Sequence, residues 1–316
     1  MCDDLRHTRL SAPVLAALAL GFASTVNASD TGSNFRIMKL GDFTVVALSD
    51  GMFDLPAEQL LVEERPGVVR TLLKRAKLSA TVPSTVNGYL IDTGSRRILV
   101  DAGAGDLQGP GLGRLTQNLQ AAGYALEAID EILLTHLHPD HVGGILKNGR
   151  AAFPNAIVFV DAHEAAFWRD VSNIKKVDSS VSASFDGAQA ALQPYLAAQR
   201  LQTFTAGAQL APGVTSIALG GHTVGHTGYR IQSRGQTLVI CGDVLHVAAV
   251  QFADPKVTIR YDSAPDEAQL TRERLFEDAA RHGYWLAAAH APFPGIGQVK
   301  LGKQGYIWQP MRVGGN

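Results

Sequence analysis

Thr135-His136-Leu137-His138-Pro139-Asp140-His141 gathers three imidazoles and a carboxylate into its last six residues. The run follows the apolar stretch Ile129–Leu134, which reads as a buried strand. Two His at i and i+2 with an Asp-His pair behind them cannot all face one side of a regular strand or helix. They converge only where the chain turns sharply, and Pro139 and Gly143-Gly144 supply the turn chemistry. Convergent nitrogen and oxygen donors without a thiolate suit zinc or a similar borderline divalent cation.

More donors recur downstream, each after an apolar run. Gly221-His222-Thr223-Val224-Gly225-His226-Thr227 follows Val214–Leu219. Gly242-Asp243 follows Thr237–Cys241, and His290 follows Trp285–Ala289. Polar residues at the points where strands stop and loops begin are where sites are usually built.

The elements that must hold these donors alternate between strands and helices in two similar halves. Phe43–Leu48, Val86–Asp92 and Arg97–Asp101 read as strands, and Pro66–Lys77 and Leu112–Ala122 as helices. Strand Ile157–Val160 precedes helix Ala162–Asp170, and Phe185–Ala198 reads as a helix broken near Pro194. In the second half Tyr229–Ser233 and Thr237–Cys241 form a hairpin about Gly235-Gln236. Pro265–His282 is the longest helix, begun by Asp262 or Ser263 and ended by Gly283. This order predicts two sheets packed face to face with helices outside.

The 316 residues suffice for one large domain or two small ones, and residues 29–316 are read here as one domain. The formal net charge of −1 offers no basic excess for a polyanion, so no nucleic-acid partner is expected. Arg6 and Arg9 precede an apolar stretch from Ala12 to Val26 ending in Val26-Asn27-Ala28, which predicts a secretory signal over residues 1–28; the alternative is an uncleaved membrane anchor, for which a core interrupted by Pro13, Gly21 and Ser24 is short. An exported protein, periplasmic or secreted and free of the membrane after cleavage, is expected. Its loss leaves Cys241 as the single cysteine, unable to close an internal disulfide and expected to be a buried small hydrophobe.

The order T-H-x-H-x-D-H, G-H-T-x-G-H-T, G-D and a late A-H resembles the metallo-β-lactamase superfamily over about residues 35–310. Leu40-Gly41-Asp42-Phe43, Leu48-Ser49-Asp50-Gly51, Gly111-Leu112-Gly113-Arg114-Leu115, Ala249-Val250-Gln251-Phe252 and Ala289-His290-Ala291-Pro292-Phe293-Pro294-Gly295-Ile296-Gly297 look like its methyl-parathion-hydrolase-like branch, close to the quorum-quenching lactonases. The resemblance implies an α/β fold, an αββα four-layer sandwich with two mixed β-sheets and helices outside. It implies two divalent metal ions, Zn2+ first and Mn2+, Co2+ or Fe2+ as alternatives. His136, His138 and His226 would hold one, Asp140, His141 and His290 the other, and Asp243 would bridge them. His222 is then a structural, hydrogen-bonding His. Asp101 and Asp50 are candidates to orient bound imidazoles, with strand-end capping as the alternative.

The same resemblance implies a hydroxide shared by two metals that attacks a lactone or aryl-ester carbonyl, with Asp243 and Asp140 as its catalytic carboxylates. Phosphotriester hydrolysis is the expected secondary activity, or the main one in the alternative reading. Trp168 and Phe185 match pocket aromatics of the parathion-hydrolysing relatives, Gln108 stands where those carry Phe, and His246 where they carry Leu. The lactonases place a Tyr at the position of His246, so a polar donor to the carbonyl is expected there, and His246→Leu is expected to shift preference towards phosphotriesters. The branch implies a homodimer, for which Leu55–Val69 offers apolar surface. A β-lactamase is disfavoured because Asp243 stands where those enzymes carry Cys or Ser. The competing reading from another class is an iron-dependent oxidoreductase on the same scaffold, and a non-catalytic metal-binding module is the last. No Gly-x-Ser-x-Gly elbow supports a serine nucleophile.

Overall fold

The computed structural model describes Met1, residues 34–178 and residues 181–312. The signal-peptide reading of residues 1–28 lies, apart from Met1, outside these described residues.

Two seven-stranded mixed sheets stack face to face. The first runs in the order Phe35–Leu40, Phe43–Leu55, Val82–Asp92, Arg97–Val100, Glu131–Leu133, Ile157–Asp161, Leu201–Phe204. Its first four strands pair antiparallel and the rest parallel. The second runs Gln209–Ala211, Val214–Ala218, Thr227–Ser233, Gln236–Ile240, Trp285–Ala287, Ile296–Leu301, Tyr306–Pro310. Only its Gln236–Ile240 and Trp285–Ala287 pair is parallel.

Side-chain alternation along the strands builds the layers. In Val45-Val46-Ala47-Leu48 the first and third residues face the second sheet, while Val46 and Leu48 face helices. Such strands read as continuous apolar runs because both faces are covered. The inter-sheet core joins Tyr89, Ile91, Ile98 and Leu133 to Val214, Tyr229, Leu238 and Ile240. Helices Leu115–Ala121, Ala162–Arg169 and Ser184–Ala197 supply Leu119, Trp168 and Phe185 to the outer core of the first sheet. Helix Pro265–His282 sets Leu275 and Phe276 against Val239, Cys241 and Leu286 of the second sheet. These layers are the αββα sandwich expected from the sequence.

Several boundaries differ from the expected ones. The second strand runs on to Leu55 because a bulge between Ser49 and Gly51 lets pairing with Val82–Asp92 resume. Helix Ser184–Ala197 passes through Pro194 unbroken. Helix Pro265–His282 has Ala264 as its N-cap with no side-chain cap, so neither Asp262 nor Ser263 plays that part, whereas Gly283 ends it at φ 68°. Leu55, Leu61 and Val69, read as apolar surface, pack inward against Leu73, Val82, Val247 and Val250, leaving Val62 48% exposed. Cys241 is free and fully buried, as a small hydrophobe would be.

Candidate metal centre

The two sheets end together at one rim, and the four stretches of donors meet there. Just after strand Glu131–Leu133 the chain leaves the sheet. His138 starts the short helix Pro139–Val142, which turns Asp140 and His141 back towards His136. Rings of His136 and His141 lie 4.1 Å apart, and those of His136 and His138 4.6 Å. Asp243, from the turn after Gln236–Ile240, sits among them. Its Oδ1 is 3.1 Å from His141 Nε2, and its Oδ2 is 3.1 Å from His290 Nε2 and 3.8 Å from His136 Nε2. His290 Nε2 is also 3.5 Å from Asp140 Oδ2. All of these side chains are buried.

The structure exchanges the expected roles of His222 and His226. His222 Nε2 lies 3.1 Å from His138 Nδ1 and 3.4 Å from Asp243 Oδ2, so its donor atom is inside the cluster. His226 has no nitrogen to spare. Its Nδ1–H donates to the Leu219 carbonyl at 2.9 Å, and its Nε2 accepts the Asp243 N–H at 3.0 Å. The His226 ring therefore supports the backbone of Asp243 from below. Gly242 makes this possible: at φ 51° a Cβ there would stand 2.7 Å from His226 Nε2.

Donor atoms thus fall into groups that could each hold an ion: His136, His138, His222 and Asp243; Asp140, His141 and His290; and Asp243, His246 and His290. Most of these imidazoles have one nitrogen tied to a partner and the other aimed inward. His141 Nδ1–H donates to Asp101 at 2.9 Å, His222 Nδ1–H to Asp262 at 2.9 Å, and His290 Nδ1–H to the Thr85 carbonyl at 2.8 Å. That tie fixes the tautomer and leaves a lone pair for a metal. Burial and the neighbouring imidazoles hold His136, His138 and His222 well below the usual histidine range, whereas Asp243 and Asp140 raise His141 and His290 above it, so that these two hold a proton that a bound cation would replace. His136 Nε2, His141 Nε2 and Asp243 Oδ1 are buried and without a hydrogen-bond partner. With His222 Nδ1 donating to Asp262, the 3.1 Å approach of His222 Nε2 to His138 Nδ1 is filled either by a proton on His138 Nδ1 or by a cation that takes both lone pairs. Such a set fits divalent cations and is costly without them.

Comparison with known proteins agrees with this geometry. Residues 81–290, more than half of the chain, match the family described as the metallo-beta-lactamase superfamily. The chain belongs to that superfamily. A crystal structure described as the hydrolase AbOPH in the beta lactamase superfamily is 36% identical, with a TM-score of 0.84 covering 90% of this chain and 99% of that one. AidC, a dizinc quorum-quenching lactonase in complex with a product, N-hexanoyl-L-homoserine, is 26% identical with a TM-score of 0.80 and the same coverage. Among curated proteins, a Beta-lactamase-like protein 2 homolog of Drosophila melanogaster is 39% identical over 87 residues, 25% of this chain and 28% of that protein. The matched part is thus under a third of that relative's length. As a superfamily member with this His and Asp set, the chain is a metallohydrolase whose centre fits two divalent metals.

Of the residues around the superfamily centre, Asp101 does orient an imidazole, His141, and also accepts both Thr135 N–H and Thr135 Oγ1–H at 2.8 Å. Asp50 reaches no imidazole. It accepts N–H groups of Ala104, Gly113 and Leu115 and so holds the loop over residues 104–115. A cavity of about 280 Å³ opens onto His138 and His222, walled by Phe167, Trp168, Val177, Val181, Val224 and Tyr261. Trp168 is therefore on the wall, as expected. Phe185 is not: its ring sits 4.5 Å behind Trp168 in the core. Gln108 is exposed on a loop that does not line the cavity, and His246 also stays off the wall.

Two supporting residues were not legible in the sequence. Asp262, expected as a helix cap, carries His222. Glu164 is fully buried, and its carboxylate accepts Leu137 N–H at 3.1 Å, Trp168 Nε1–H at 2.6 Å and Gly225 N–H at 2.9 Å. It ties both His-bearing loops to the cavity wall. Burial pushes its pKa up to about 7. Glu164→Gln replaces one acceptor oxygen by an NH2 that faces a donor. The expected loss is about 1–3 kcal/mol of stability, with metal affinity lowered about 10-fold or more as both loops loosen. Thermal melts and metal titration check this; an unchanged melt and affinity would remove Glu164 from the account.

Proposed function

We propose that the protein hydrolyses lactones or aryl esters at a dinuclear metal centre. His136, His138 and His222 would hold one cation, Asp140, His141 and His290 the other, and Asp243 would bridge them. Two cations held so would depress the pKa of bound water towards about 7 and polarise a carbonyl oxygen. The chain itself supplies the rest of the chemistry. The ties to Asp101, Asp262 and Thr85 preset the donor directions, and the buried rim keeps bulk water from them.

The observation that carries the substrate class is the cavity. His138 and His222 form part of its lining; Phe167, Trp168, Val177, Val181 and Val224 give it one apolar side, and Lys176, Thr223, Arg260 and Ser263 give it a polar one. An apolar acyl or aryl group seated there leaves its carbonyl beside the metal donors. The bound N-hexanoyl-L-homoserine of AidC, an acyl chain on an opened lactone, supports the same reading. An aryl phosphotriester offers the same apolar group with a different electrophile, so that activity is proposed as secondary.

The test is a panel of chromogenic lactones, aryl esters and dialkyl aryl phosphotriesters, assayed on chelated protein and on protein reloaded with Zn2+, Mn2+ or Co2+. Metal-dependent turnover highest on lactones or aryl esters is expected. Turnover highest on phosphotriesters would overturn the ranking, and no metal-dependent turnover on any of them would overturn the proposal. Trp168→Ala is expected to raise KM for substrates with apolar acyl or aryl groups roughly 10-fold, about 1.4 kcal/mol of lost apolar contact. Steady-state kinetics on a homologous series of acyl lengths reads this out, and a KM that ignores chain length would remove Trp168 from the binding wall.

We also propose export, supported by the apolar N-terminal stretch ending in Val26-Asn27-Ala28, and homodimerisation, supported by the branch resemblance alone since Leu55, Leu61 and Val69 are buried. No helix among the described residues is long and apolar enough to cross a membrane. N-terminal sequencing of the protein from its native host and light scattering of the purified chain test the two statements.

A further inference from the structure

His246 was expected at the substrate carbonyl, yet its surroundings are those of a ligand. The side chain is buried, and neither ring nitrogen has a hydrogen-bond partner. Other unpartnered imidazole nitrogens are His136 Nε2 and His141 Nε2, both inside the donor cluster. His246 Nε2 is 3.2 Å from Asp243 Oδ2, while His290 Nε2 is 3.1 Å from the same oxygen. The two rings are stacked, with centroids 5.1 Å apart and planes at 18°, so both present Nε2 to one carboxylate oxygen. Two donors each about 2 Å from one ion lie roughly 3–3.5 Å apart, which is the spacing seen here.

The backbone holds this position firmly. Gln251 Oε1 accepts the N–H groups of His246 at 2.7 Å and Val247 at 3.0 Å, and Gln251 Nε2 donates to the Val257 carbonyl at 3.0 Å. Arg272, fully buried in the longest helix, donates to the carbonyls of Val244 and Val257 on either side of the same loop. His246 lies behind the cavity wall, its ring centroid 4.9 Å from that of His222 and 6.1 Å from that of Tyr261, on the side of the metal donors.

We propose that His246 is a direct metal donor, completing a set with Asp243 and His290 at the second cation. The proposal rests on the dinuclear reading above and adds a nitrogen donor to it. A further imidazole donor tightens the site and fills a coordination position that water or substrate would otherwise occupy.

The experiment uses the full chain, stripped of metal and titrated with Co2+ against a fluorescent chelator, with the visible Co2+ spectrum recorded at each step. Wild type, His246→Leu and His246→Ala are compared, the last with and without added imidazole. Expected results are two Co2+ per wild-type chain and a weaker second dissociation constant, by at least about 10-fold, in both variants. The Co2+ absorption should change in both, and imidazole should return the His246→Ala spectrum towards wild type. Circular dichroism confirms folding, and the imidazole rescue keeps the test valid if the Leu variant fails to fold. Unchanged dissociation constants and spectra in the folded variants would overturn the proposal, and a raised KM for lactones beside them would return His246 to the substrate. Fewer than two Co2+ on the wild type would instead overturn the dinuclear reading itself.

Discussion

Replacing Asp243 with Asn is expected to lower kcat/KM on the best substrate of the chromogenic panel by about 1,000-fold and to reduce bound metal from two cations per chain towards one. The magnitude corresponds to about 4 kcal/mol, the scale of charge stabilisation that a bound cation supplies to a hydrolytic transition state. The reason lies in how much converges on one carboxylate. Its two oxygens stand within 3.8 Å of His136, His141, His222, His246 and His290. Burial pushes the carboxyl up, but the imidazoles of His141, His290 and His136 outweigh that and hold it well below the usual carboxylate range. Two dications close together repel strongly, and a shared anion offsets that repulsion. Asn keeps the shape and removes the charge. Metal analysis together with kinetics is the check. Two retained cations with activity within a few-fold of wild type would show that Asp243 bridges nothing.

The second large effect separates two His four residues apart. His222→Asn is expected to cost at least about 100-fold in affinity for one cation, because a nitrogen aimed into the cluster and oriented by Asp262 is lost. His226→Asn is expected to keep both cations and lose about 1–3 kcal/mol of stability, since the Asp243 N–H and the Leu219 carbonyl would be buried without their partners. Equilibrium metal titration and chemical denaturation of both variants decide it. Metal loss in the His226 variant with full retention in the His222 variant would restore the assignment expected from the sequence and contradict the geometry.

That pair also shows where sequence reading stops. Gly-His-Thr-Val-Gly-His presents two imidazoles with similar flanks, and nothing in the spacing says which one faces the cluster. The choice is made by Gly242, whose left-handed backbone lets the Asp243 turn close over His226 and use up its second nitrogen. Glu164 was hidden for a related reason. A Glu within a predicted helix reads as a solvated residue, and only the packing of that helix against both His loops makes it a buried hub. Phe185 and Trp168 illustrate the limit for apolar residues. Both are large, buried and on adjacent helices, and only their stacking order places Trp168 at the cavity and Phe185 behind it.

What the sequence settled by itself was the layered plan and the neighbourhood of the centre. Continuous apolar runs with β-branched residues can be satisfied only by strands covered on both faces, and polar residues stranded at their ends can be satisfied only by each other or by a ligand. The tertiary structure alone decided which nitrogen points where, which carboxylate steadies which ring, and which apolar side chains border open space. Those choices turn on contacts of about 3 Å between residues far apart in the chain, such as His222 with Asp262 and His290 with Thr85, and local sequence carries no record of such distances.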